Sequence, residues 1–98
     1  MQATVLTFSL VGLEAHPVHV EVDSSRGISR FHLVGLPETS ARESRVRVRA
    51  ALLSVGVELD EHVITVDLLP VVRHASLDLA IAVCILAALG RIPAEALK

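Results

Sequence analysis

Arg42, Arg45, Arg47 and Arg49 fall within one short stretch and supply four of the nine basic residues of the chain. Guanidinium groups at this density are suited to phosphate, through charge and through paired N–H donors. They follow a Val34-Gly35-Leu36-Pro37 turn and lie on a helix predicted from Pro37 to about Val55, with Pro37 in the first turn where its missing N–H costs nothing. On that helix Ala41, Ser44, Val48, Ala51, Leu52 and Val55 share the core face. Arg42, Arg45 and Arg49 line one flank of it, and Arg47 lies on the far side. Glu38 and Glu43 precede Arg42 and Arg47 by one turn, the favourable order for ion pairs of ~0.2–0.5 kcal/mol each. The set reads in two ways: as a phosphate-binding strip, or as a solvated helix face neutralised in part by its own carboxylates.

Ser76 is the serine best placed for nucleophilic chemistry. It opens a second, apolar helix whose N-terminal amides would stabilise an oxyanion. A Ser–Lys mechanism needs a desolvated lysine, and the only lysine is Lys98 at the end of the chain. His74 stands nearby without a third group to orient it. An N-cap role for Ser76 is the simpler reading. The five histidines give no metal site, because His16 and His19 point to opposite faces of a strand and no helical His pair or second cysteine joins them. No Gly-x-x-x-x-Gly-Lys-Ser/Thr and no Gly-x-Gly-x-x-Gly occurs, so these residues hold no nucleotide-hydrolysing loop.

The elements that must position these groups follow from periodicity. Residues 3–11 alternate with apolar side chains on both faces, a strand expected to be covered in part on each side. Residues 16–23 set Val18, Val20 and Val22 against His19, Glu21 and Asp23, and an antiparallel hairpin with the first strand is expected. Ser24 to Gly27 reads as a turn, 28–34 as a third strand with Phe31 and Leu33 inward, and Val63 to Leu69 as a fourth strand ended by Pro70. Gly56 stops the first helix. The second, capped by Ser76 with Asp78 at its positive end, runs to near Gly90. The order β-β-β-α-β-α implies an α/β fold, an α+β sandwich with both helices on one face of the sheet. The second helix is apolar almost all round and requires enclosing structure. That favours a chain truncated at its C-terminus, with a domain over residues 1–90 and a tail over 91–98.

Composition sets the outer bounds. The chain has 98 residues, 52% apolar and 20% charged, which suits one small domain and excludes disorder. A net charge of −2 means that any binding to nucleic acid or acidic lipid must come from a local patch. Cys84 stands alone, which excludes an internal disulfide and favours a reducing, cytoplasmic setting. No basic region followed by an apolar run marks a signal peptide. The longest apolar run, Leu79 to Leu89, falls short of the ~20 residues that span a bilayer, so no membrane partner is expected.

Several segments together resemble the N-terminal domain of magnesium-chelatase-like AAA+ proteins of the YifB/ComM competence-protein family. They are Ala3-Thr4-Val5-Leu6, Val11-Gly12-Leu13-Glu14, His16-Pro17-Val18, Val20-Glu21-Val22-Asp23 and Gly27. Then come Val34-Gly35-Leu36-Pro37-Glu38, Arg42-Glu43-Ser44-Arg45, Val48-Arg49-Ala50-Ala51-Leu52 and Asp78-Leu79-Ala80-Ile81-Ala82. The resemblance implies a ribosomal protein S5 domain 2-like fold, shared with the proteolytic domain of Lon. It implies an AAA+ ATPase module following this domain, to which ATP and Mg would belong, with no cofactor for these residues themselves. Some members of the family act as hexameric DNA branch-migration motors in natural transformation.

One segment departs from the family pattern. Its usual Lys-Glu-Gly-Pro-like loop is replaced here by Val71-Val72-Arg73-His74-Ala75-Ser76. In Lon-type proteases the nucleophilic serine sits in the corresponding loop, close to Ser76, and the lysine lies in later sequence. Three readings result. The first is a non-catalytic accessory domain that contacts its own subunits, its AAA+ module or DNA. The second is a fragment of a Lon-like Ser–Lys hydrolase using Ser76. The third is a nucleic-acid-binding module using Arg42, Arg45, Arg47 and Arg49.

Overall fold

The computed structural model of the chain describes residues 1–11, 14–70 and 77–92. Its elements are β1 (Gln2–Val11), β2 (Glu14–Arg26), β3 (Arg30–Val34), α1 (Glu38–Ser54), β4 (His62–Leu69) and α2 (Asp78–Ala88). The strands form one sheet in the order β1-β2-β4-β3. β1 pairs antiparallel with β2, and β2 with β4. β3 and β4 run parallel, because α1 carries the chain back between them.

Register decides which side chains meet. Ala3 faces Val22, Val22 faces Val66, and Leu33 faces Val66, so the buried apolar positions of the strands fall on one side. Both helices pack there, α2 on β1 and β2, and α1 against α2 and β3. Val18, Val20, Val22, Ile64, Val66 and Leu68 are buried beneath Val48 and Leu52 of α1 and Ile81, Cys84 and Ile85 of α2. Each full burial of such an aliphatic side chain contributes ~1.5–3 kcal/mol. The opposite face of the sheet is open, and it carries Thr4, Leu6, Phe8, His19, Glu21 and Asp23 exposed.

That open face corrects one expectation. Among the described residues β1 is covered on one side only, since both helices lie on the same face, and its alternate residues Leu6 and Phe8 are exposed. β2 also extends further than predicted. Ser24, Ser25 and Arg26 are strand rather than turn because they pair with Ile64, Val63 and His62. The buried Ser24 hydroxyl donates to the Ala88 carbonyl at 3.1 Å, which anchors the end of α2 to the sheet. β3 accordingly starts later, at Arg30.

α1 begins one residue after the predicted start. Pro37 is its N-cap, and its carbonyl accepts the Ala41 N–H at 2.8 Å. The core stripe is Ala41, Ser44, Val48 and Leu52, while Ala51 and Val55 fall outside it and are exposed. Gly56 closes the helix at φ +83°, with its N–H on Leu53 and the Val57 N–H on Leu52 at 3.0 and 2.9 Å. This paired-bond stop needs a residue that adopts positive φ without strain. Val57 and Leu52 are both buried beside it.

The Gly35 turn has a steric cause. Its φ is +108°, and a Cβ there would come within 2.6 Å of the Leu68 carbonyl oxygen and 2.8 Å of Leu68 Cβ. Only glycine lets the chain leave β3 for α1 this close to β4.

α2 starts at Asp78 with Leu77 as its N-cap, and Leu77 makes no side-chain cap, while the expected cap Ser76 lies outside the described residues. The Leu77 carbonyl accepts from Ile81 N–H at 2.9 Å. α2 is apolar all round, and Ile81, Cys84, Ile85, Ala87 and Ala88 are buried, Ala80, Ala82 and Leu86 are half-buried against the core, and Leu79 is 78% exposed. No helix among the described residues is long and apolar enough to cross a membrane.

Candidate functional site

A groove of about 510 Å³ runs between the start of β3 and one flank of α1. The residues Arg42, Arg45, Val46, Arg49, Ala50 and Leu53 recur at helical spacing and form one stripe of α1, adjacent to the core stripe. Ser29, Arg30 and Phe31 form the other wall. The lining therefore combines an apolar bed (Phe31, Val46, Ala50 and Leu53) with the guanidinium groups of Arg30, Arg42, Arg45 and Arg49. The Arg49 guanidinium carbon lies 5.9 Å from the centroid of the Phe31 ring, within reach of a cation–π contact.

The charge of this groove is largely unneutralised. Arg45 Nη2 lies 3.5 Å from Glu38 Oε1, and among the described residues Arg30, Arg42 and Arg49 have no carboxylate partner. The expected Glu38–Arg42 pair is thus replaced by Glu38–Arg45. Arg42 lines the groove, and Glu38 reaches the arginine two turns along the same flank. Glu21 faces Asp67 across β2 and β4 on the open face of the sheet, with Asp23 two residues along β2, while Glu58 and Asp60 line a smaller cavity that shares Arg49 and Leu53 with the groove. The four guanidinium groups give a local basic surface to a chain whose net charge is −2.

Arg47 leaves the set. Its Nε donates to Asp78 Oδ2 at 2.5 Å, and its Nη1 lies 3.9 Å from Glu43 Oε2, the i,i+4 pair expected from sequence. The buried Ser44 hydroxyl donates to the other oxygen, Asp78 Oδ1, at 2.6 Å. Partial burial pushes the Asp78 carboxyl up, but hydrogen bonds from Arg47 and Ser44 and the charge of Arg47 outweigh it and hold the group below its ordinary value. The same hydrogen bond and charge raise Arg47. This triad joins the middle of α1 to the start of α2. Arg47 is a tether between helices, while Arg42, Arg45 and Arg49 face outward together.

The remaining candidates divide cleanly. Ser76 and His74 lie outside the described residues, as does Lys98. Cys84 is buried, donates from Sγ to the Val20 carbonyl at 3.4 Å, and has its thiol pushed up to about 11 by burial. It is packing, not a nucleophile. His16 lies 3.6 Å from Glu14, and among the described residues no three of His, Cys, Asp and Glu are grouped to hold a metal ion.

Arg30, Phe31, Val46 and Leu53 were not singled out as site residues from sequence. Val46 and Leu53 had a signal: two apolar residues spaced i,i+7 on the arginine flank, off the core stripe. Arg30 had none, because it reaches α1 through the placement of β3 beside β4.

Fold and site define a mixed α/β domain, with two helices on one side of a four-stranded sheet, that displays an arginine-lined groove. The family model described as "Subunit ChlI of Mg-chelatase" matches residues 20–98, and the chain belongs to this Mg-chelatase-like family, in its YifB/ComM group. It is 38% identical over 99 residues to the "Uncharacterized protein YifB" of Salmonella typhimurium, covering 98% of this chain and 20% of the relative. It is also 38% identical over 96 residues to YifB of Escherichia coli, covering 95% of this chain and 19% of that protein. "Competence protein ComM" of Haemophilus influenzae is 38% identical over 99 residues, covering 98% of this chain and 19% of its own length. The chain thus spans about a fifth of the length of these relatives.

Proposed function

We propose that this chain is a non-catalytic accessory domain of a cytoplasmic, ComM-type AAA+ ATPase, and that it positions DNA by holding phosphates on Arg30, Arg42, Arg45 and Arg49. The carrying observation is the convergence of these four side chains on one groove, with Glu38 the one carboxylate paired to them among the described residues. We read the fold as S5 domain 2-like, which fits the order β-β-β-α-β-α. ATP and Mg would be handled by a separate module of the same polypeptide, which is then the domain's first partner. The resemblance to DNA branch-migration proteins supplies the reason to expect DNA rather than another polyanion.

Electrostatics also sets the form of the test. Binding through a few phosphates is weak and depends steeply on salt, with a log–log slope of about −3 for three or four contacts. Fluorescence anisotropy with labelled duplex and single-stranded DNA at low salt should show this slope. The combined variant Arg42→Ala/Arg45→Ala/Arg49→Ala should lose at least about tenfold in affinity and flatten the slope toward zero. Absence of binding at low salt, or unchanged binding by the triple variant, would refute the proposal.

A further inference from the structure

The arginine groove carries more than charge. Phe31 is one of only two aromatic residues in the chain, and it stands in the groove wall. Its side chain is half-buried against the core, which holds it in place while part of it lines the groove. Val46 and Leu53, on the same helix flank as the arginines, are 65% and 56% exposed. A strip that binds phosphate alone gains nothing from these side chains. Phosphate and sugar are polar, and in a duplex the faces of the bases are hidden by stacking on one another. An unpaired base does offer an apolar face, and an aromatic side chain flanked by cations is the usual platform for it.

We propose that the groove receives single-stranded DNA, with one unstacked base on Phe31 under Arg49 and the adjoining phosphates on Arg30, Arg42 and Arg45. The inference rests on the DNA-positioning reading above and deepens it by naming the strand state and the residue that senses it. Arg49 completes the platform. Its guanidinium carbon stands over the Phe31 ring, 5.9 Å from the centroid. A base held between ring and guanidinium needs about 7 Å, two contacts of ~3.5 Å each. Arg49 is exposed and has no carboxylate partner among the described residues, so its long side chain opens by the missing distance without breaking an ion pair. Arg45 and Arg42 follow along the same flank at ~5 Å per helical turn, in line with a backbone that runs past the base. Guanidinium charge thus meets phosphate, and the apolar bed meets the base.

Fluorescence anisotropy of the 98-residue chain with three labelled probes of equal length at one low salt concentration tests the proposal. The probes are oligothymidine, an abasic strand of tetrahydrofuran residues, and a duplex. The abasic strand keeps every phosphate and lacks only the bases. Oligothymidine is expected to bind at least about fivefold more tightly than the abasic strand, the lower end for one stacked base. Phe31→Leu keeps an apolar side chain against the core and removes the ring. It should close that gap and leave duplex binding nearly unchanged. The abasic comparison needs no substitution, so it decides the matter even where Phe31→Leu disturbs β3. Equal affinity for oligothymidine and the abasic strand, with both lost in Arg42→Ala/Arg45→Ala/Arg49→Ala, would overturn the base platform and leave the DNA-positioning reading standing. A gap that persists in Phe31→Leu would do the same. Absence of binding to all three probes would overturn both.

Discussion

At one margin of the sheet β3 is five residues long, carries Arg30 and His32, and lies beside a helix flank of arginines. At the other margin β1 runs ten residues without a single charged side chain. Among the described residues both are edges of the same sheet, yet the means that blunt an edge, shortness and charge among them, appear at one only. β3 is protected by shortness, charge and an adjoining helix, and it can expose a solvated, binding-competent surface. β1 has a regular backbone, an apolar open face and none of those protections. The difference shows that charge in this molecule is distributed by role. Guanidinium groups gather at the β3 margin, Glu21, Asp23 and Asp67 lie near one another on the open face, and the β1 margin is kept neutral.

The charged margin depends on one glycine. Gly35→Ala forces a Cβ against the Leu68 backbone and holds alanine at φ +108°. Strain at such a conformation and overpacking each cost ~1–3 kcal/mol, so a loss on the order of 2–5 kcal/mol is expected in urea denaturation. This is the largest single effect anticipated, and it would blur the contrast by loosening β3 from α1 while leaving the β1–β2 hairpin contacts intact. A loss under about 0.5 kcal/mol, the level of an ordinary surface substitution, would show that the turn relaxes freely and that the groove's geometry is not set there.

Much of this was readable from residue order. The alternation of Val18, Val20 and Val22 placed β2's core face, and the 3.6-residue period placed Ala41, Ser44, Val48 and Leu52 inward with Arg42, Arg45 and Arg49 beside them. The period also put Arg47 on the far side. It could not supply the partner, because Asp78 meets Arg47 through packing of α1 on α2, which are separated by β4 in the chain. β1 misled for a related reason: apolar residues on both faces suggest cover on both sides, but both helices chose the same side. The insertion of β4 between β2 and β3 is a long-range event that no local period reports, and it is what carries Arg30 to the groove. The Ser76 cap lies outside the described residues. The helix opens at Leu77, and the Asp78 carboxylate is occupied by Ser44 and Arg47.

The tether on α1's other flank offers a smaller and separable perturbation. Ser44→Ala removes a buried hydrogen bond to an ionised carboxylate, for which ~1–2 kcal/mol of stability is expected to go. Its pH dependence has a definite sign. The folded Asp78 carboxyl titrates below the 3.8 of the free group, so its stabilisation is fully present above that pH. It is lost as pH falls through the lower, folded value. Unfolding of the native chain and Asp78→Asn should differ at neutral pH and converge in acid below pH 3.8. A gap that widened on acidification would mean that the carboxyl is destabilised by burial rather than held by its partners.

The smallest effect anticipated is the one that sharpens the comparison most. Arg47→Ala removes the same charge as Arg42→Ala, from the same helix, five residues away. If density of arginine alone attracted a polyanion, both would weaken DNA binding alike, since long-range attraction depends little on which flank carries the charge. If binding uses the groove, Arg42→Ala should lower affinity and reduce the salt slope by about one contact, ~0.9 for duplex DNA. Arg47→Ala should leave both nearly unchanged, because its guanidinium is already committed to Asp78 and Glu43. Measured side by side in one salt series, equal losses would dissolve the groove into a general field. Unequal losses would assign the contact to the flank of α1 that faces β3.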